Sequence, residues 1–173
     1  GSPLSRNALR EDLELNHQTV TRWLDIFERL YAIFRLPPFG APRLRAVKKE
    51  QKHYHTDWSV VGDEGARFEN LNASHLLKWV HFQLDTAGRE LELRYFRDTD
   101  KREVDFVVLK DPKPLFAVEC KSGERSVSSA IRYFAERTSI PRFYQVHLGE
   151  RHYESGAAMV LPFRTFCREL RLP

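Results

Sequence analysis

Residues 114–123, Pro114-Leu115-Phe116-Ala117-Val118-Glu119-Cys120-Lys121-Ser122-Gly123, pass from an apolar run into two opposite charges two positions apart. Side chains alternate across a strand, so Glu119 and Lys121 share one face while Val118 and Cys120 share the other. Leu115, Phe116, Ala117 and Val118 leave little polar surface, as in a central strand covered on both faces, where charge is costly unless paired or coordinated. The competing reading of an isolated Glu-x-Lys is a solvated strand face; the apolar flank is what argues for a site.

A second strand-like run, Glu103 to Lys110, comes just before it. Strict alternation puts Val104, Phe106 and Val108 on one side and Asp105 on the other. The turn-forming pair Asp111-Pro112 between the runs predicts a hairpin that brings the two faces together. Asp105, Glu119 and Lys121 then form a small site. Two carboxylates suit a hard divalent cation, and the ammonium can steady an anion or a water beside it.

The 173 residues are 42% hydrophobic and 30% charged, the balance of a soluble globular protein with one ordinary domain or a small and a medium one. No apolar run is long enough to span a bilayer and no secretory signal is present, so a cytoplasmic protein is expected, with no membrane partner. Cys120 and Cys167, each in an apolar context, predict buried free thiols in a reducing compartment, with a disulfide as the lesser alternative. The formal charge of +4 is concentrated: from Arg35 to Lys52, six basic residues stand against Glu50 alone. An oligomer is compatible with this composition. Gly1-Ser2 reads as a cloning remnant, so the natural start is expected upstream.

In the front half, Ser5 to Leu13 reads as a short helix and Glu14-Leu15-Asn16 as a tight connection. His17 to Leu30 follows as an amphipathic helix, with Val20, Trp23, Leu24, Phe27 and Leu30 at helical spacing and Asn16 as its N-cap. Tyr31 to Leu36 reads as a strand ended by Pro37-Pro38, and Lys52 to Asp57 as its return partner. Helix, turn, helix and a hairpin with a basic tip is the plan of a winged helix. Gln18, Thr19, Thr21 and Arg22 would face DNA from the second helix, and Arg43, Arg45, Lys48 and Lys49 would contact phosphates from the wing. Protein docking or a spacer role is the alternative for such a module. His53, His55 and Asp57 share a strand face, but no further His or Cys lies at ligand spacing, and no metal is assigned to them.

Residues 3–60 are therefore expected to form one unit and residues 61–173 a second. After the break at Gly62–Gly65, a helix from about Glu64 to Leu84 carries Glu69 among Phe68, Leu71 and Leu76; Glu69 either joins the carboxylate pair or caps, pairs with Arg67 or faces water. Strands over Arg89–Arg97, 103–110 and 114–121, a helix over Ala130–Arg137, strands over Phe143–Leu148 and Met159–Leu161, and a last helix over Pro162–Leu170 complete the order. The class expected is α/β, a mixed sheet flanked by helices.

These stretches together resemble a known arrangement. Gly65-x-x-Phe68-Glu69-Asn70, Tyr95-Phe96-Arg97 through Glu103-Val104-Asp105-Phe106, and Val118-Glu119-Cys120-Lys121-Ser122-Gly123 are similar to the C-terminal domain of unknown function that follows the ATPase module in many prokaryotic AAA+ ATPases. In the front half Thr19-Val20-x-x-Trp23-Leu24, Tyr31, Leu36-Pro37-Pro38-Phe39 and Lys52-x-Tyr54-x-x-Asp57 resemble that family's winged-helix part. The later part also resembles the restriction-endonuclease-like superfamily, with its PD-(D/E)XK signature on Val104-Asp105 and Glu119-Cys120-Lys121 and valine in place of the proline. The resemblance implies that Asp105 and Glu119, with Glu69 as an extra helix carboxylate, bind Mg2+ or Mn2+, and that Lys121 positions or activates the attacking water. It also implies an upstream AAA+ ATPase module as partner, making the chain a C-terminal fragment. No Gly-x-x-x-x-Gly-Lys-Ser/Thr occurs here, so ATP hydrolysis is not assigned to it. The function expected is a DNA-binding, metal-dependent, nuclease-like module that hydrolyses phosphodiesters, or else a catalytically silent docking or regulatory module of the ATPase.

Overall fold

The computed structural model of the chain describes residues 13–14, 16–40 and 51–172. The expected helix over Ser5–Leu13, except Leu13 itself, and Arg43, Arg45, Lys48 and Lys49 of the expected wing lie outside the described residues.

Helix α1 spans His17–Arg29, and the Asn16 side chain accepts a hydrogen bond from the Thr19 backbone N–H at 2.8 Å, the cap the sequence predicts. Val20 and Leu24 are buried, whereas Trp23, Ile26, Phe27 and Leu30 remain 42–69% exposed, so the helix buries a narrower stripe than its apolar pattern suggests. Tyr31 takes a left-handed backbone conformation and is exposed, which shortens the following strand: β1 is Ile33–Leu36. It pairs antiparallel with β2, Lys52–His55, in the register Phe34↔Tyr54 and Leu36↔Lys52.

Asp57 then caps a single 3-10 turn, Trp58–Val60, by accepting from the Ser59 N–H and hydroxyl. Helix α2, Glu64–Ala87, is capped by Asp63 and stopped by Gly88, whose positive φ suits a residue without a Cβ. The sheet that follows contains β3 (Leu91–Arg97), β4 (Glu103–Lys110), β5 (Lys113–Lys121), β6 (Phe143–His147), β7 (Tyr153–Ser155) and β8 (Ala158–Pro162). Helix α3, Ser129–Arg137, crosses between β5 and β6, and α4, Phe163–Leu170, follows β8.

The spatial order is β3-β4-β5-β6-β8-β7. Strands β3, β4 and β5 are antiparallel neighbours, β5, β6 and β8 are parallel, and β7 pairs antiparallel on the far edge. The mixed α/β class is therefore as expected, with one exposed edge strand, β7, that three half-polar residues did not announce.

Helices cover both faces. Phe68, Leu76 and Trp79 of α2 and Phe166 of α4 pack with Phe106, Val108, Phe116, Val118 and Val146 on one side. Ile131 and Phe134 of α3 pack with Val104, Val107, Leu109, Ala117, Phe143 and Val160 on the other. Leu36 and Tyr54 of the N-terminal hairpin belong to the first cluster, so the hairpin and the sheet domain share one core. Pro37 to Phe39 seals the outer edge of β3: the Tyr95 N–H donates to the Pro37 carbonyl and the Phe39 N–H to the Tyr95 carbonyl. Phe39 also meets Phe96 edge to face.

A buried charge cluster where two strands part

Strand β4 contains a β-bulge at the site. Arg94 pairs with Val107 and Phe96 with Val104, so Asp105 and Phe106 together oppose Tyr95 alone. The extra residue breaks the alternation: Val104 packs on the α3 side with Val107 and Leu109, while Phe106 and Val108 pack on the α2 side. Asp105, expected on the face away from Phe106, is turned with it towards α2 and β2.

The next neighbour explains why the site opens here. The β4–β5 ladder ends at Phe106↔Val118, so the β5 residues beyond it lose their partner strand on that side. Asp105 fills the gap, its Oδ2 accepting from the Cys120 N–H at 2.7 Å. On its other edge β5 stays paired with β6 through Lys121↔His147, which keeps Glu119 and Lys121 on a rigid strand. Lys121 Nζ donates to Glu119 Oε1 at 2.6 Å. Glu119 Oε2 is buried with no hydrogen-bond partner among the described residues.

On the Oδ1 side of Asp105 stands a lysine that the sequence placed in the basic segment. Lys52 is fully buried, and its ammonium pairs with Glu69 Oε1 at 2.9 Å, with Glu103 Oε1, and with Asp105 Oδ1 at 3.8 Å. The Tyr54 hydroxyl donates to the same Glu69 oxygen at 2.7 Å, and the Tyr95 ring lies 5.7 Å from the Lys52 nitrogen. Alternation in β2 puts both Lys52 and Tyr54 towards the sheet, between α2 and the bulge. Asn70, the residue after Glu69, holds that strand by its backbone, donating to the His55 carbonyl at 2.7 Å and accepting from the His55 N–H at 2.9 Å. Phe68-Glu69-Asn70 thus serves as core anchor, charge partner and strand clamp in turn.

Burial would strip the charge from Lys52, but Asp105, Glu69 and Glu103 outweigh it and hold its pKa above the ordinary lysine value. Burial together with Glu69 and Glu119 pushes Asp105 well above the ordinary aspartate range, against the pull of Lys52 and the Cys120 N–H. Burial likewise raises Glu119, opposed by Lys121. Burial lowers Lys121, but Glu119, Asp105 and Cys120 together outweigh it, so the net direction is up.

Of the four residues assigned to the site from sequence, Glu69, Asp105, Glu119 and Lys121 all contribute to this charged region. Glu69, Glu103 and Asp105 each offer an oxygen within 4.8 Å of the others, a donor set that suits a hard divalent cation. Glu119, named with Glu69 and Asp105 as a ligand, lies outside that group and presents its orphaned oxygen instead. Glu103 and Lys52 escaped the sequence reading. Glu103 could have been found as the residue two before Asp105 on the same strand face; nothing local marks Lys52, because its partners are 17 and more residues away.

Gln145 was also missed. Fully buried on β6 opposite Glu119, it accepts from the Ser128 N–H and donates to the Arg125 and Ser126 carbonyls, holding the loop that leaves Lys121. His147 and Glu124 tie the next loop, His147 through Gly149 and Arg151, Glu124 through the Glu150 and Arg151 N–H groups. Both cysteines are free and partly buried.

Among the residues expected to face DNA, Gln18 and Arg22 are exposed, Thr19 and Thr21 half-buried, and Gln18, Thr21 and Arg22 line a shallow groove with Asp25 and Arg29. The basic segment is less free than its composition suggests: Arg35 pairs with Asp25 at 3.0 Å and with Glu28, and Lys52 is internal. Near the cluster, Arg94, Arg97 and Arg102 are paired with Glu92, Glu103 and the Asp98–Asp100 pair, leaving Lys101 and Arg125 exposed.

Fold and site together define a mixed α/β domain built on a six-stranded sheet, with a buried carboxylate cluster closed by a lysine from the preceding hairpin. The chain belongs to the family described as Domain of unknown function (DUF4143), whose family model matches residues 64–166. A second model, Domain of unknown function (DUF8612), matches residues 1–63. No curated protein and no solved structure matches the chain. Among the described residues no helix is long and apolar enough to cross a membrane.

Proposed function

We propose that this chain is a nuclease-like module, of restriction-endonuclease-like type, that hydrolyses phosphodiesters with the help of a divalent metal and engages DNA through a winged-helix N-terminal unit. The observation that carries this reading is the Glu119 carboxylate. One oxygen is held by Lys121; the other is buried without a partner among the described residues, one residue from the Cys120 N–H that Asp105 grips. A buried oxygen left unpaired costs free energy that a bound cation would recover. Asp105 and Glu119 would hold Mg2+ or Mn2+, which would lower the pKa of a bound water and offset charge on the phosphate. Lys121, 32% exposed, can reach a phosphate oxygen or a water while Glu119 restrains it. Glu69 supports the site from behind, through Lys52 and Tyr54. Gln18, Thr19, Thr21 and Arg22 are the residues of α1 proposed to meet DNA, with Arg43, Arg45, Lys48 and Lys49 of the wing on phosphates. An upstream AAA+ ATPase module is the proposed covalent partner.

The test is a cleavage time course on single-stranded, duplex and branched DNA with Mg2+ or Mn2+, comparing the parent chain with Glu119→Gln. Cleavage by the parent alone is the expected result. A second reading is favoured by Lys52, which neutralises the acidic cluster without any metal: a catalytically silent docking module of the ATPase. Silence from both proteins, with DNA still retarded on a gel, would establish that second reading.

A further inference from the structure

We infer that Lys52 is the resident counter-ion of Glu69, Glu103 and Asp105, so that the site has room for one divalent ion, between Asp105 and Glu119, and that the N-terminal hairpin supplies the charge a second ion would otherwise bring. The inference rests on the metal-dependent reading above. Its basis is geometric. Three carboxylates offer oxygens within 4.8 Å of one another, a set that would draw a cation from solution, yet an ammonium with no solvent exposure already meets all three. Asp105 divides its oxygens between two positions: Oδ1 faces Lys52, and Oδ2 faces the Cys120 N–H beside Glu119. The first position has its cation built in; the second has an orphaned carboxylate oxygen and an exchangeable surface at Lys121.

Lys52 reaches this place because the chain before it is fixed at several points. Leu36, its partner across the hairpin, is buried in the core; Pro37 to Phe39 pairs with β3 at Tyr95, the residue opposite the bulge; and Asn70 grips the strand end at His55. Lys52 therefore acts through the carboxylates it holds and is a positioning residue. A chain whose hairpin is undocked presents a different site, in which Glu69, Glu103 and Asp105 lack the Lys52 ammonium, and its metal count changes accordingly.

The experiment is Mn2+ titration of the whole 173-residue chain, with free Mn2+ read by electron paramagnetic resonance. The parent should bind one ion, lost in Glu119→Gln. Lys52→Met should bind a second ion at least about tenfold more tightly than the parent does, because an ammonium a few ångströms away no longer opposes it. That second ion should persist in Lys52→Met/Glu119→Gln and disappear when Glu103→Gln is added. Two ions in the parent, or one ion at unchanged affinity in Lys52→Met, overturns the inference. No ion in the parent with one Glu103-dependent ion in Lys52→Met would uphold Lys52 as counter-ion while sinking the metal position at Asp105 and Glu119. Should Lys52→Met fail to fold in metal-free buffer, the inference requires that millimolar Mn2+ or added Glu103→Gln restore the native circular dichroism, and failure of both overturns it.

Discussion

The two lysines on either side of Asp105 sit in the same charge cluster and are treated in opposite ways. Lys52 is sealed from water and shared among three carboxylates, whereas Lys121 is one-third exposed and tied to a single carboxylate whose other oxygen is unpaired. The difference is one of saturation. Around Lys52 the charges answer one another and little remains to bind anything else. Around Lys121 the pairing is incomplete, and incomplete pairing in a buried place is what a ligand can satisfy. The structure thus separates a charge saturated inside the fold from a charge whose partner still has an unmet oxygen.

The largest effect that bears on this contrast is Lys52→Met. Removing Lys52 takes the one cation shared by Glu69, Glu103 and Asp105 out of a buried network, and a loss of about 3–5 kcal/mol in urea unfolding of metal-free protein is expected. A loss below about 2 kcal/mol would show that the cluster relaxes into solvent and that Lys52 is no different from Lys121. Asn70→Ala comes next, at about 1–3 kcal/mol, because it leaves the His55 backbone N–H and carbonyl without their partners; the same melt measures it.

Titration sharpens the comparison further. A folded-state pKa above the ordinary 3.8 means that Asp105 favours folding when protonated, so its contribution is fully present below that value and is lost as pH rises through its folded pKa. Asp105→Asn abolishes that loss, and the stability difference between variant and parent, without metal, should shift in the variant's favour as pH rises above about 4. A flat difference breaks the assignment. The smallest stability effect belongs to Lys121→Met, about 1–2 kcal/mol, because the ammonium is one-third exposed although its Glu119 partner is buried, while the same substitution removes any metal-dependent cleavage. Large destabilisation with cleavage intact would reverse the roles of the two lysines.

Much of this arrangement was legible in advance. Apolar runs and turn residues located α1, α2 and the strands of the sheet to within a few residues, and Glu103 to Lys110 to the residue, because strand and helix periods are local properties of the chain. Asp105, Glu119 and Lys121 stood out as charges embedded in apolar sequence, whereas helical periodicity left Glu69 open and only the family resemblance pointed to it. Strand β7 did not, since Tyr153-Glu154-Ser155 is short and exposed and is held chiefly by its pairing with β8. The face of Asp105 was misjudged because alternation assumes an unbroken ladder, and one extra residue opposite Tyr95 reverses it. Lys52 was read as part of a basic patch because composition counts charges without knowing which way they point.

Apart from β7, the sequence by itself determined the order of the described helices and strands and the chemical kinds of residue available to a site, since both follow from short-range periodicity and from the cost of burying charge. Which charges meet was decided by the tertiary structure. The bulge turns Asp105 towards α2, the end of the β4–β5 ladder exposes the Cys120 N–H to it, and the docked hairpin delivers Lys52 to Glu69, Glu103 and Asp105 across 17 to 53 residues of chain. Electrostatic interactions depend on distance in space and on exclusion of water, and neither is a property of neighbouring positions in a sequence.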